Sequence, residues 1–125
     1  MQYLALIHSD EEAWSALSEQ ELNDVMEGYY AFSREGAEAG VVQGGSELGP
    51  STTATTVRVR NDETLVTDGP FVELKEALGG YFVLECETID EACGWAAKIP
   101  GAKHGAIEVR PIHVDPDNGE GEDQS

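Results

Sequence analysis

Residues 65–86 read LVTDGPFVELKEALGGYFVLEC, and this stretch decides how the rest of the chain is interpreted. Its end, Gly80–Cys86, is strongly apolar and predicts a buried strand. Its start, Thr64–Thr67, predicts the returning arm of a hairpin. Between them, Asp68 and Gly69 form a common turn dipeptide, and Pro70 lacks the N–H that a sheet ladder requires. The stretch therefore predicts a strand, a rigid turn and a second strand.

Segments with strand and helix patterns alternate on both sides of this stretch. Ser9, Ser18 and Thr88 each stand three residues before a glutamate, which is the pattern of a helix-capping box. Apolar residues spaced by three and four predict a long helix after Ser18. The predicted order is strand Gln2–His8, helix Asp10–Leu17, helix Glu19–Ala39, strand Val41–Leu48, strand Thr55–Arg60, strand Thr64–Thr67, strand Gly80–Cys86, helix Thr88–Lys98 and strand Ala106–Ile112.

This order predicts an α+β fold of the ferredoxin-like βαββαβ type, a plait with an inserted hairpin. Two right-handed βαβ crossovers on one sheet place both helices on the same face. If the opposite face is also apolar, a second copy of the chain is the simplest way to cover it. We therefore expect a homodimer, with residues 1–113 as one domain.

The composition is unusually acidic. The 125 residues include 25 acidic and 7 basic ones, giving a net charge of −18, and only three of the basic residues are lysines. Such self-repulsion destabilises a compact chain, and salt screens it. We therefore expect a halophilic protein whose melting temperature is higher in molar KCl than in dilute buffer. Equal or lower thermal stability in molar KCl would contradict this expectation.

Several classes of function are disfavoured. A duplex binder needs clusters of Lys and Arg, so we expect no nucleic-acid partner. No apolar run approaches the ~20 residues that span a bilayer, and no signal-peptide pattern opens the chain, so we expect a cytoplasmic protein without membrane contact.

Cys86 and Cys93 are expected to be small buried hydrophobes, and we expect no metal. No nucleotide-binding or zinc-hydrolase motif is present, so we expect no cofactor. Residues 114–125 predict an acidic, flexible tail.

The candidate site residues lie in the opening stretch and on the long helix. Asp68 is either a turn residue or a carboxylate held rigidly at the mouth of a cleft, as a general base would be. Glu73 and Lys75 belong either to a solvated charge run or to a paired site, in which the lysine would lower the pKa of a carboxyl group. Tyr29 and Tyr30 point about 100° apart on a helix, so both cannot face the core.

The segment VTDGPFVELKEALGGYFVLE, residues 66–85, resembles the signature of the DGPF family within the YCII-related superfamily, which runs close to TDGPF-x-E-x-KE-x-LGGY. Four further segments are similar to the family. They are YLALIHSDEEAW at 3–14, TATTVRVRNDETLVTDGPF at 53–71, EACGWAAKIPG at 91–101 and GAIEVRPI at 105–112. The resemblance covers residues 1–113 and implies a dimeric α/β barrel.

The resemblance also implies partners and chemistry. Some members are encoded beside, or fused to, extracytoplasmic-function sigma factors, which implies association with a sigma factor. The wider superfamily has been suggested to include enzymes that use a His and an Asp in a cleft. Asp68 matches the signature, but Glu19–Ala39 contains no histidine and has Tyr29 and Tyr30 instead.

Two functions remain open. The first is a non-catalytic module that senses a small-molecule ligand or contacts another protein. The alternative is a cofactor-free isomerase or lyase, with Asp68 as the acid or base in a cleft between sheet and helices. In either case Tyr30, Glu73 and Lys75 are the expected ligand-binding residues. Whether the chain is an enzyme is left undecided by the sequence.

Overall fold

The computed structural model of this protein describes residues 1–114, and within them six strands and three α-helices follow one another. Two short 3-10 turns, Ser51–Thr53 and Pro100–Lys103, connect some of them. The elements are β1 (Gln2–Asp10), α1 (Glu11–Ser15), α2 (Glu19–Glu38), β2 (Val42–Glu47), β3 (Thr55–Arg60), β4 (Glu63–Asp68), β5 (Glu76–Glu85), α3 (Ile89–Ala96) and β6 (Ala106–Pro111).

Four strands form one antiparallel sheet in the order β2-β5-β1-β6, and β3 and β4 form a separate hairpin. Because β1 and β2 both run antiparallel to β5, they are parallel to each other, and α2 connects them across β5. The α3 crossover relates β5 to β6 across β1 in the same way. The predicted ferredoxin-like plait with an inserted hairpin is therefore confirmed.

The caps predicted from the sequence are partly confirmed. Ser18 and Glu21 form the full capping box of α2. The prediction at Ser9 is wrong, because β1 continues through Asp10 and the Asp10 carboxylate caps α1 by accepting from the Glu12 and Ala13 amides. Helix α1 also ends earlier than predicted and contains no buried residue.

Strand β5 begins four residues earlier than the apolar pattern predicts. The prediction began at Gly80, whereas the strand begins at Glu76, where Glu76 pairs with Asp10 and Ala77 with Ser9. Ala77 is 8% exposed, so this part of the charged stretch belongs to the sheet. Cross-strand pairing with the extended β1 outweighs the weak strand preference of Glu and Ala.

The core lies between the sheet and helices α2 and α3. Phe32 of α2 is 3% exposed, and its ring meets the rings of Phe82 and Trp95 edge to face, with centroids 4.9 and 6.2 Å apart. A side chain at the buried Gly36 would overlap Cγ2 of Val42 and lie 3.1 Å from its Cβ. Glycine at this helix position therefore permits α2 to approach β2 closely.

Two further apolar surfaces lie outside this core. On the sheet face away from the helices, Leu4, Leu6 and Val83 are half-buried. On the hairpin, Val57 and Val66 pair across the strands and remain 60% and 64% exposed.

The structure also bears on the predictions about cysteines, membrane helices and the tail. Cys86 is buried as predicted, but the prediction for Cys93 is wrong, because it is exposed. No helix within residues 1–114 is long and apolar enough to cross a bilayer. Apart from Val114, the predicted acidic tail lies outside the described residues.

Candidate functional site

A cavity of about 460 Å³ lies beside the core, between the sheet and helices α1 and α2. The ends of β1, β2 and β5 form its floor, and the loop after β2 borders it through Leu48, Gly49 and Pro50. A pocket of this size is in the range that accommodates a small organic molecule.

Strand register decides which residues of the sheet border the cavity. Register places Leu84 beside Val42 at the core end, and Phe82 beside Gly45 in the middle. At the cavity end, Gly80 lies between Ile7 and Glu47. A Cβ at Gly45 would lie 2.5 Å from the backbone oxygen of Tyr81, and one at Gly80 would lie 2.9 Å from that of Ser46, so these glycines permit β2 and β5 to approach closely where they border the cavity.

A stripe along the N-terminal half of α2 forms the opposite wall. Residues at i, i+3, i+4 and i+7 share one face of a helix. The stripe consists of Met26, Tyr29, Tyr30 and Ser33. Tyr29 is half-buried, whereas Tyr30 is 64% exposed at the rim. Both tyrosines therefore line the cavity, although they differ in depth.

The phenol of Tyr29 stays protonated well beyond neutral pH. Burial raises the pKa of Tyr29, the nearby Glu47 carboxylate raises it further, and the backbone of Gly101 acts in the opposite direction. A neutral phenol donates one hydrogen bond and also accepts. Tyr29 therefore offers a polar contact inside an otherwise largely apolar wall.

Two carboxylates line the cavity, and they differ in their partners. Glu11 accepts from the backbone amide of Ser51 at 2.7 Å and from its hydroxyl at 2.6 Å, which ties α1 to the turn after β2. Glu47, at the end of β2, makes no hydrogen bond or ion pair with another side chain of residues 1–114. Glu47 is therefore the carboxylate that remains available to a ligand.

The turn Asp68-Gly69-Pro70, which belongs to the DGPF segment, lies outside this cavity. Asp68 is exposed at the end of β4 and does not line the cavity. Backbone contacts fix the turn instead: Gly69 donates its N–H to Ala54 at 2.8 Å, and its carbonyl accepts from the Thr56 hydroxyl at 2.8 Å. Only two residues separate Ala54 from Ser51, the partner of Glu11. The turn is therefore connected to the cavity wall through the short segment 51–54 and does not itself line the cavity.

Glu73 and Lys75 are likewise exposed and outside the cavity lining. The predicted pairing of Lys75 with a neighbouring carboxylate does not occur among the described residues, whose ion pairs are Met1–Glu85, His8–Glu108 and Lys98–Glu35. Of the four residues that the sequence assigned to catalysis or ligand binding, Tyr30 alone lines the cavity, and the neighbouring candidate Tyr29 lines it as well.

Sequence reasoning missed several cavity residues. Trp14 is half-buried and lines the cavity from α1. Glu47 and Ser33 carried no motif. The helical stripe was a usable signal for Ser33, since it follows Tyr29 and Tyr30 at helical spacing.

A family model for the YCII-related domain matches residues 1–114. The chain belongs to the YCII-related family. The resemblance read from the DGPF segment is thus confirmed, and the family accounts for nearly all of the described chain.

Two known proteins are similar to this chain. An uncharacterized protein of Rhizobium meliloti (strain 1021) is 40% identical over 114 residues, covering 90% of this chain and 92% of the relative. In structure, the chain is similar to 5-chloro-2-hydroxyhydroquinone dehydrochlorinase (TftG) from Burkholderia phenoliruptrix AC1100, in complex with 2,5-dihydroxybenzoquinone. The TM-score is 0.56 and the identity 16%, over 94% of this chain and 98% of that one. At this identity the likeness concerns the fold alone.

Proposed function

We propose that this YCII-related protein is a ligand-binding module that accepts a compact, ring-containing organic molecule in the cavity between α2 and the sheet. The observation that carries the proposal is the cavity itself, about 460 Å³ in volume and lined by Trp14, Tyr29, Tyr30 and Phe82. Aromatic walls with a few polar groups are typical of small-molecule sites. Tyr29 and Ser33 supply such polar groups on one wall.

The structural neighbour supports a ring-shaped ligand. That dehydrochlorinase was solved in complex with 2,5-dihydroxybenzoquinone, a single six-membered ring with oxygen substituents. A cavity of about 460 Å³ accommodates a ring of that size with room for a further substituent. The support is one of fold and size, because the two chains share few residues.

Filling the cavity should abolish ligand binding. A thermal-shift screen of ring compounds in molar KCl identifies stabilising ligands first. Ser33→Phe places a ring inside the cavity, and we expect it to weaken binding of the best ligand by at least about tenfold, because displaced ligand contacts of ~1.4 kcal/mol correspond to that factor. Isothermal titration calorimetry measures the dissociation constants.

Ala31→Phe is the matched control, because Ala31 is exposed on the same helix and does not line the cavity. It should bind the ligand like the parent chain. The melting temperature of each unliganded variant shows whether the helix still packs. Unchanged binding by a folded Ser33→Phe variant would refute the cavity as the site.

The second candidate is the cofactor-free isomerase or lyase, and the presence of Tyr29 and Glu47 in one cavity lining favours it. A phenol and a carboxylate that interact electrostatically across a cavity are suited to transfer protons to and from one substrate. An acid or base role for Asp68 would require a substrate outside this cavity. Proton NMR of the recovered ligand separates the two functions, because it detects an isomer as well as an elimination product, whereas a binding module returns the ligand unchanged.

We further propose that the outer sheet face pairs with the same face of a second copy. Support comes from Leu4, Leu6 and Val83, which form an apolar surface opposite the helices. A homodimer related by two-fold symmetry covers such a surface with its own equivalent. Association with a sigma factor stays a prediction from the family resemblance.

A further inference from the structure

The cavity has an unbalanced charge. Its lining includes the carboxylates of Glu11 and Glu47 and no Lys, Arg or His side chain. Both oxygens of Glu11 already accept hydrogen bonds from Ser51. The net charge presented to a ligand is therefore negative and comes chiefly from Glu47.

The four arginines of the chain lie outside the cavity lining and do not balance this charge. Arg58 stacks over the Phe71 ring on the hairpin, with its guanidinium carbon 5.0 Å from the ring centroid. Arg60 donates to the carbonyl of Val59. Arg110 pairs with Leu4 on β1, so it projects from the sheet face opposite the helices. Arg34 follows Ser33 on α2 and is exposed, and none of the four arginines lines the cavity.

This charge distribution favours one class of ligand. A carboxylate in the cavity would lose hydration and meet Glu47 without a counter-charge, which is unfavourable. A protonated amine would instead pair with Glu47, and it would also be attracted to the faces of aromatic rings. Trp14, Tyr29 and Tyr30 provide such rings in the same lining.

We propose that the ligand of this cavity carries a protonated amine beside its ring, and that Glu47 selects it over carboxylates of the same shape. This inference rests on the proposed function, since it names the ligand class of the same cavity. Glu47 is exposed at the end of β2, where it lines the cavity, and it is thus a specificity-determining residue. Tyr29, kept neutral beside it, accepts or donates a hydrogen bond to the ring substituent.

The overall charge of the chain demands a matched control. A protein with net charge −18 attracts every cation to some degree, whatever its cavity contains. Glu63 lies on the hairpin, is exposed and does not line the cavity. Glu63→Gln removes the same charge as Glu47→Gln, so the difference between the two variants isolates the local effect.

The experiment compares three probes of similar shape: tyramine (cationic), 4-ethylphenol (neutral) and 4-hydroxyphenylacetate (anionic). Calorimetry measures their dissociation constants at the lowest KCl concentration at which the protein stays folded, because salt screens ion pairs. We expect tyramine to bind about tenfold tighter than 4-ethylphenol, as a charge-assisted contact allows, and 4-hydroxyphenylacetate to bind weakest.

The variants complete the test. Glu47→Gln should weaken tyramine binding about tenfold and leave 4-ethylphenol within about twofold, since only the amine uses the carboxylate. Glu63→Gln should change neither. Equal binding of the amine and the carboxylate, or equal effects of the two variants, overturns the charge selection while leaving ring binding intact. Failure of tyramine to bind while the screen yields other cavity ligands also overturns it. Failure of every ring compound overturns the proposed function itself.

Discussion

Replacing Phe32 with alanine should lower the free energy of unfolding by about 3–5 kcal/mol, as removal of a buried aromatic side chain does. Phe32 is 3% exposed and packs edge to face against Phe82 and Trp95, so the substitution opens a void between α2, the sheet and α3. Urea denaturation at a fixed KCl concentration, followed by circular dichroism, measures the loss.

The same substitution should also disturb the cavity. Phe32 is one residue from Ser33, and its ring holds the middle of α2 against Phe82, which itself lines the cavity. Without that contact the stripe from Met26 to Ser33 loses its fixed distance from the sheet. Ligand stabilisation measured by thermal shift should therefore fall along with global stability.

Two further variants on the same helix separate the loss of core packing from the effect of substituting any aromatic residue of α2. Tyr30→Ala removes a ring that is 64% exposed, and it should change the unfolding free energy by less than about 1 kcal/mol. Phe32→Leu retains most of the buried apolar area and should lie between the two alanine variants. A loss in Phe32→Ala no greater than that in Tyr30→Ala would contradict the position of the core described above.

The elements of this fold were predictable because their signals are local. Ser18 with Glu21 specifies the start of α2, and the alternation in Thr55–Arg60 specifies β3. The start of β5 was not predictable in this way. Glu76 and Ala77 have no strand character of their own, and they become strand because β1 continues to Asp10 beside them.

The site was less predictable, because the pairing register of the strands decides which residues lie side by side around the cavity. Turn chemistry correctly identified the turn at Asp68-Gly69-Pro70, but it gave no information on how far that turn lies from a cavity. Glu47 follows Ser46 in a segment without a motif, and it becomes notable only beside Gly80 and Tyr29. The candidates that line the cavity, Tyr29 and Tyr30, were chosen from their helix positions.

Replacing Leu6 with aspartate should convert a homodimer into a folded monomer. Leu6 lies in the centre of the outer sheet face, between Tyr81 on β5 and Glu108 on β6. If a second copy covers this face, the aspartate of each copy loses its hydration among apolar side chains, at a cost of several kcal/mol that Arg110 on the same face offsets only in part. We expect the dimer dissociation constant to rise at least about a hundredfold. Light scattering coupled to size-exclusion chromatography measures the mass.

Val59→Asp is the control for this prediction, because Val59 is 59% exposed on the other apolar surface, the hairpin. It introduces the same charge and should leave the dimer intact. Leu6 is only half-buried within one chain, so far-ultraviolet circular dichroism of Leu6→Asp should match that of the parent. If Val59→Asp dissociates the protein and Leu6→Asp does not, the hairpin rather than the sheet face is the interface. A monomeric parent chain would exclude both surfaces as dimer contacts, and the half-buried leucines would then face solvent.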